Sequence, residues 1–165
     1  MRTVTRPKSA RRVRPAVRHR SVSSPPPTAT TYVESSALVA ALLEGDSAVM
    51  RSVRLGASTV TSALTLAEAR RAVVRAHASG RLDLAGRQAA TRGLTTFARR
   101  CRFVAITADI LARAGRPFPV EPIRTLDAVH LATVELIAGA SAALTVVTRD
   151  RRVQANAEAL GFHVE

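Results

Sequence analysis

Four acidic residues of this 165-residue chain stand where strands and helices meet, which is where catalysis can be built: Glu34, Glu68, Asp127 and Asp150. Glu34 closes Thr31-Tyr-Val-Glu, a short strand that Ala29 and Thr30 lengthen. Glu68 falls in the first turn of the helix after the β-branched strand Ala57 to Ser62. Asp127 falls in the first turn of the apolar helix that Thr125 can cap and Gly139 can end. Asp150 lies just past the buried strand Ala143 to Thr148. If those strands run parallel, all four positions lie at, or reach, the carboxyl edge of one sheet, where the crevice of an open α/β fold lies. Carboxylates gathered there repel one another unless divalent cations neutralise them. Oxygen-only ligands select hard ions, Mg²⁺ or Mn²⁺. One such ion, or a pair ~3.5–4 Å apart, can activate water and stabilise the oxygens of a phosphodiester displacement.

Each acid also has a plainer reading. Glu68 is three residues after Thr65, the spacing of a capping box. Asp150 can cap the last helix, Asp127 can simply meet a helix dipole, and Glu34 can be a surface acid at a strand end. His130 is three residues after Asp127 on the same helix, and a lone His in an apolar helix reads first as a core hydrogen-bonder. Other chemistries lack their residues. No Gly-Lys pair forms a phosphate-cradling loop, no Gly-x-Ser-x-Gly elbow is present, and no second acid follows Glu34 at the spacing of an Asp-x-Asp phosphohydrolase. The only lysine is Lys8, so a receiver-type phosphoacceptor site lacks its cation.

The elements that must position these acids alternate. Helical stretches are expected over Ser35–Glu44, Asp46–Leu55, Thr65 to about His77, Leu82–Arg100, Ala108–Ala114, Thr125–Gly139 and Asp150–Leu160, with further strands at Phe103–Ile106 and Phe162–Val164. Strand–helix alternation argues for a parallel sheet with helices on both faces. Between Asp127 and Arg149 the only charged residue is Glu135, so that helix belongs inside the domain.

Charge is uneven. Residues 1–30 hold eight basic residues and no acid, leaving 17 of the 25 basic residues to share residues 31–165 with all 12 acids, a balance of +5. That organisation predicts a basic N-terminal extension over residues 1–30, disordered because it lacks apolar periodicity, and one domain over residues 31–165. The extension reads first as a dispensable arm or as sequence ahead of a later start, and second as an RNA-binding arm; its composition also matches a targeting segment. A positive body suits a polyanion such as RNA; biased Arg and Ala usage explains the same charge without a partner. A single cysteine, Cys101, excludes a disulfide framework and a Cys-based metal site and fits the reducing cytoplasm. No apolar run reaches the length of a membrane span.

Four segments resemble a known family. Tyr32-Val-Glu-Ser-Ser-Ala-Leu-Val, Thr65-Leu-Ala-Glu-Ala-Arg-Arg-Ala, Leu126-Asp-Ala-Val-His-Leu-Ala and Thr148-Arg-Asp-Arg-Arg-Val, in this order and spacing, resemble the PIN-domain ribonucleases and especially the VapC toxins. The resemblance covers residues 31 to 165. It implies a three-layer α/β/α sandwich with a central parallel sheet, a Mg²⁺- or Mn²⁺-dependent endoribonuclease, a homodimer, and neutralisation by a cognate VapB-type antitoxin. Carried over, Glu68, Asp127 and Asp150 match the family's second, third and fourth acids, and Ser36 and Thr148 its supporting hydroxyls. The first acid departs, because Glu34 stands where the family has Asp. Its extra methylene shifts the carboxylate by ~1.5 Å, and Mg²⁺ tolerates little error in ligand distance. The expectation is therefore a slow nuclease that works better with Mn²⁺, with a catalytically weakened RNA- or protein-binding module as the alternative.

Overall fold

Strand residues whose side chains alternate between two buried faces, with a helix returning the chain after nearly every strand, produce a sheet covered on both sides. The computed structural model describes residues 30–55, 57–141 and 143–165. Residues 1–29, and with them almost all of the expected basic extension, lie outside the described residues. Thr30 already belongs to the first strand, where its N–H donates to Ala143 O at 3.0 Å.

The elements run β1 (Thr30–Val33), α1 (Ser35–Leu43), α2 (Ser47–Leu55), β2 (Ser58–Ser62), α3 (Ala63–Ala78), α4 (Leu84–Ala98), β3 (Cys101–Val104), α5 (Ala108–Ala114), α6 (Thr125–Ala138), β4 (Leu144–Val147), α7 (Arg151–Ala159) and β5 (His163–Val164). All five strands are parallel, in the order β3-β2-β1-β4-β5. β1 is central, with Tyr32 opposite Val60 on one side and Val146 on the other.

Neighbouring residues of β1 and β4 enter opposite cores. Tyr32 and Val146 pack with Val60, Ile110, Phe118 and the buried face of α6 and α7. Val33 and Val147 pack with α1 to α4 through Leu38, Val49, Val73, Leu94 and Phe97. This is the expected three-layer α/β/α sandwich. α6 is buried from Ala128 through Val134, as its lack of charge predicts. Gly45, at φ +74°, takes the left-handed conformation that lets the chain leave α1 for α2.

Three local readings differ. Thr125 does not cap α6: the N-cap is Arg124, with no side-chain cap bond, and Thr125 is the first helical residue. β3 occupies Cys101–Val104, two residues before the expected Phe103–Ile106, because Thr107 caps α5 by accepting from Ile110 N at 3.3 Å and the chain must leave the sheet first. Thr65 and Glu68 do not form a capping box. α3 begins at Ala63, capped by Ser62, whose hydroxyl accepts from Leu64 N at 3.2 Å. Thr65 sits inside the helix and accepts from the Thr61 hydroxyl at 2.7 Å, which leaves the Glu68 carboxylate free of the helix end.

Candidate metal centre

The carboxyl ends of β1 and β4 and the helices that follow β1, β2 and β4, together with α6, frame the site. Glu34 is the N-cap of α1, with φ −82° and ψ 159°. Glu is not a favoured N-cap, since short side chains reach the second or third amide with less entropy cost. Here extra donors compensate. Ser36 N donates to Oε2 at 2.9 Å, the Ser35 hydroxyl to Oε1 at 2.6 Å, the Thr148 hydroxyl to Oε2 at 2.9 Å, and the Ser36 hydroxyl also bonds Oε2. The side chain is 4% exposed. A buried carboxylate is tolerable only when so satisfied, and this seat accommodates the full length of a Glu. Ser36 and Thr148 therefore act together: their hydroxyl oxygens lie 3.2 Å apart, and both bond Glu34. Thr148 Oγ1 also accepts from Asp150 N at 3.1 Å, and Ser36 Oγ from Arg149 N at 2.8 Å, tying the end of β4 to the start of α1.

Glu68 projects from the second turn of α3 across the site and meets His130 Nε2 at 2.7 Å. The same Nε2 lies 3.7 Å from Glu34 Oε1. On the far side of the ring, Nδ1 is 2.7 Å from the Tyr32 hydroxyl. Tyr32 is fully buried and the His130 side chain is 1% exposed. Burial, and next the Glu34 charge, push the Tyr32 phenol well above its ordinary range, so its proton stays on. Glu34, Glu68 and His130 each offer one ligand atom, all within 4.8 Å of one another.

Asp127 is half-buried in the first turn of α6. Its Oδ2 is buried with no hydrogen-bond partner. Burial, and then the Asp150 charge, raise its carboxyl above the usual range; Arg124 opposes them and Glu34 adds to them. Asp150 caps α7, accepting from Arg152 N at 2.7 Å and Val153 N at 3.3 Å, and its Oδ2 is 4.0 Å from Arg124. The plain reading of Asp150 as a helix cap thus holds alongside its place at the site. Arg149 braces the rim: its guanidinium bonds Asp46 Oδ2 at 2.7 Å and carbonyls of Thr148 and Glu165, and that ion pair holds the Asp46 carboxyl below its usual range.

The structure therefore brings Glu34, Glu68 and His130 within ligand distance of one another, and sets Asp127 and Asp150 where their charges are felt together. The donor set fits a divalent cation. The Asp127 Oδ2 is buried and unpartnered, and Glu34 and Glu68 converge on one ring nitrogen of His130, so negative charge gathers where a divalent cation would neutralise it. Tyr32 was not expected in the site, and His130, read first as a core hydrogen-bonder, bonds Tyr32 and Glu68. The only sequence signal for His130 is its spacing from Asp127, which puts both on one face of α6; for Tyr32 it is the two-residue step to Glu34.

The model of the PIN domain family matches residues 31–159. No curated protein sequence matches the chain. Among solved structures, the chain is similar to VapC20 of Mycobacterium tuberculosis, a sarcin-ricin loop cleaving toxin, at 18% identity and TM-score 0.57, over 76% of this chain and 93% of that one. It is similar to VapBC2 of Rickettsia felis, solved with a DNA fragment from its promoter, at 15% identity and TM-score 0.56, over 82% and 97%. PAE2754 of Pyrobaculum aerophilum is similar at 20% identity and TM-score 0.55, over 82% and 83%. Identities this low establish a common fold.

Proposed function

The chain belongs to the PIN-domain family, and from that premise we propose that it is a divalent-metal-dependent endoribonuclease of the VapC type, the toxin of a toxin–antitoxin pair. The observation that supports this reading is the convergence of Glu34 and Glu68 within ligand distance, beside an Asp127 whose Oδ2 is buried and unpartnered and whose carboxyl feels the charges of Asp150 and Glu34. Those four acids are the proposed ligands of Mg²⁺ or Mn²⁺. When bound, such an ion supplies activated water and neutralises charge on a phosphodiester.

The chain's own residues do the rest. Ser36 and Thr148 hold Glu34 in place, and the backbone N–H groups of Arg152 and Val153 hold Asp150. His130 keeps Glu68 turned into the site rather than out to solvent. Arg124, two-thirds exposed at the mouth, offers a cation to an incoming phosphate. The net positive charge of residues 31–165 favours RNA as the polyanion. A VapB-type antitoxin and a second copy of the chain are the proposed protein partners. Two solved relatives, from Klebsiella pneumoniae and Rickettsia felis, are described as a toxin–antitoxin complex and as VapBC2, which supports the first of these. The proposed compartment is the cytoplasm; no helix among the described residues is long and apolar enough to cross a membrane. Residues 31–165 are proposed as the functional domain, with the basic extension dispensable for it.

The test is cleavage of a structured RNA by the purified chain with Mg²⁺, with Mn²⁺ and with chelator, beside Glu68→Gln and Asp127→Asn, and growth of cells expressing each. Metal-dependent cleavage and growth arrest, both lost in the variants, are expected. Binding of RNA without cleavage under any ion would replace the nuclease with the binding-module reading.

A further inference from the structure

We infer that His130 is itself a metal ligand through Nε2, so that the site takes a mixed nitrogen–oxygen donor set with Glu34 and Glu68 and prefers a first-row transition ion to Mg²⁺. This rests on the metal-dependent reading above and goes beyond its four-carboxylate ligand set.

A ring nitrogen carries at most one hydrogen, yet Nε2 faces two carboxylates, Glu68 Oε2 at 2.7 Å and Glu34 Oε1 at 3.7 Å. It can donate to only one of them. A cation in that position contacts both, and the acids no longer face each other uncompensated. The spacing suits this exchange. Six-coordinate ligands at ~2.1 Å from an ion stand about 3.0 Å apart when adjacent and about 4.2 Å when opposite. The three donor atoms, all within 4.8 Å of one another, need only small adjustments to meet those values.

The outer partner is already present. A metal-ligating His donates its other ring N–H to a fixed acceptor, which sets the tautomer and the ring orientation. Nδ1 lies 2.7 Å from the Tyr32 hydroxyl, in a wholly buried pair. In the tautomer whose Nδ1–H donates to the Tyr32 oxygen, the Nε2 lone pair is free for an ion. Imidazole nitrogen suits transition ions, whereas Mg²⁺ is served by oxygen. One nitrogen among carboxylates therefore shifts preference toward Mn²⁺ and the ions above it in that series.

Pulsed electron paramagnetic resonance of the Mn²⁺-loaded full chain reads the bond directly. The wild-type protein should show ¹⁴N coupling from a coordinated imidazole. The coupling should persist in a variant with His130 as its sole histidine, made by His19→Gln, His77→Gln and His163→Gln, and vanish in His130→Asn. Mn²⁺ affinity should fall about tenfold or more in His130→Asn, the scale for loss of even an outer partner of a metal ligand, and Mg²⁺ affinity should fall less. If His130→Asn does not fold, the sole-histidine variant decides the question. Mn²⁺ bound without nitrogen coupling would overturn this inference and leave the carboxylate reading standing. Failure of the wild-type chain to bind Mn²⁺ at all would overturn both.

Discussion

Tyr32→Phe isolates one buried bond behind the site. Phe keeps the ring and its packing against Val60 and Val146, so no cavity forms. What is lost is the 2.7 Å bond to His130 Nδ1, with neither side chain more than 1% exposed. A buried polar atom left without its partner costs about 1–3 kcal/mol. Removing the hydroxyl also removes its own desolvation cost, which offsets part of this, so the expected loss is about 1–2 kcal/mol. For a domain of this size that lowers the Tm by roughly 3–10 °C. Urea denaturation followed by circular dichroism gives the free energy directly, and a double-mutant cycle with His130→Asn should show a coupling of about 0.5–3 kcal/mol. A second readout is available because Tyr32 is the only tyrosine and there is no tryptophan. Tyrosinate absorbance of the wild-type protein therefore reports this phenol alone. Burial and the Glu34 charge raise it, so the folded state holds the proton more tightly than the unfolded chain. Stability should be intact below the ordinary tyrosine range and fall as pH rises through it, with absorbance appearing only on unfolding. A Tyr32→Phe protein within about 0.5 kcal/mol of wild type, together with ordinary titration of the phenol in the folded state, would refute the buried relay from Tyr32 through His130 to Glu68.

Asp127→Asn should abolish RNA cleavage while leaving metal-free stability at neutral pH unchanged or higher. The wild-type carboxyl is raised by burial and Asp150, so metal-free stability falls as pH rises from the ordinary carboxylate range to the raised value, and calorimetry across that window should find a flatter profile in the variant. Glu34→Asp withdraws the carboxylate by ~1.5 Å, beyond bonding reach of the Thr148 hydroxyl. A stability loss of about 1–2 kcal/mol in urea and weaker cleavage with both Mg²⁺ and Mn²⁺ are expected; a gain with Mg²⁺ would show instead that Glu34 is a strained substitute for Asp. Removing residues 1–28, which lack an apolar burial pattern, should leave the melting temperature and any cleavage rate unchanged, and calorimetry beside a cleavage assay checks both.

Most of the fold was legible because it is written in local periodicity. Short β-branched and apolar runs such as Thr30–Val33 and Leu144–Val147, charge-free helix faces such as 128–134, and Gly45 as a stop depend on neighbours a few positions away. The expectation for the four acids rests on the same local signals, since each follows a strand or opens a helix, and a parallel sheet gathers those junctions at one edge. What local spacing could not decide is where a side chain goes once the chain is folded. Thr65 and Glu68 have the separation of a capping box, but Ser62 had already started the helix, so Glu68 was free to reach His130, 62 positions away. Glu34 at a strand end looks strained until Thr148, 114 positions later, brings its hydroxyl alongside Ser35 and Ser36. Tyr32 and His130 are 98 residues apart, and only the packing of α6 against β1 joins them. Residue order and hydropathy determine which elements form and which edge carries the acids. Whether an acid there is a cap, a buried anchor or an open ligand depends on donors from distant segments, and tertiary structure alone supplies them.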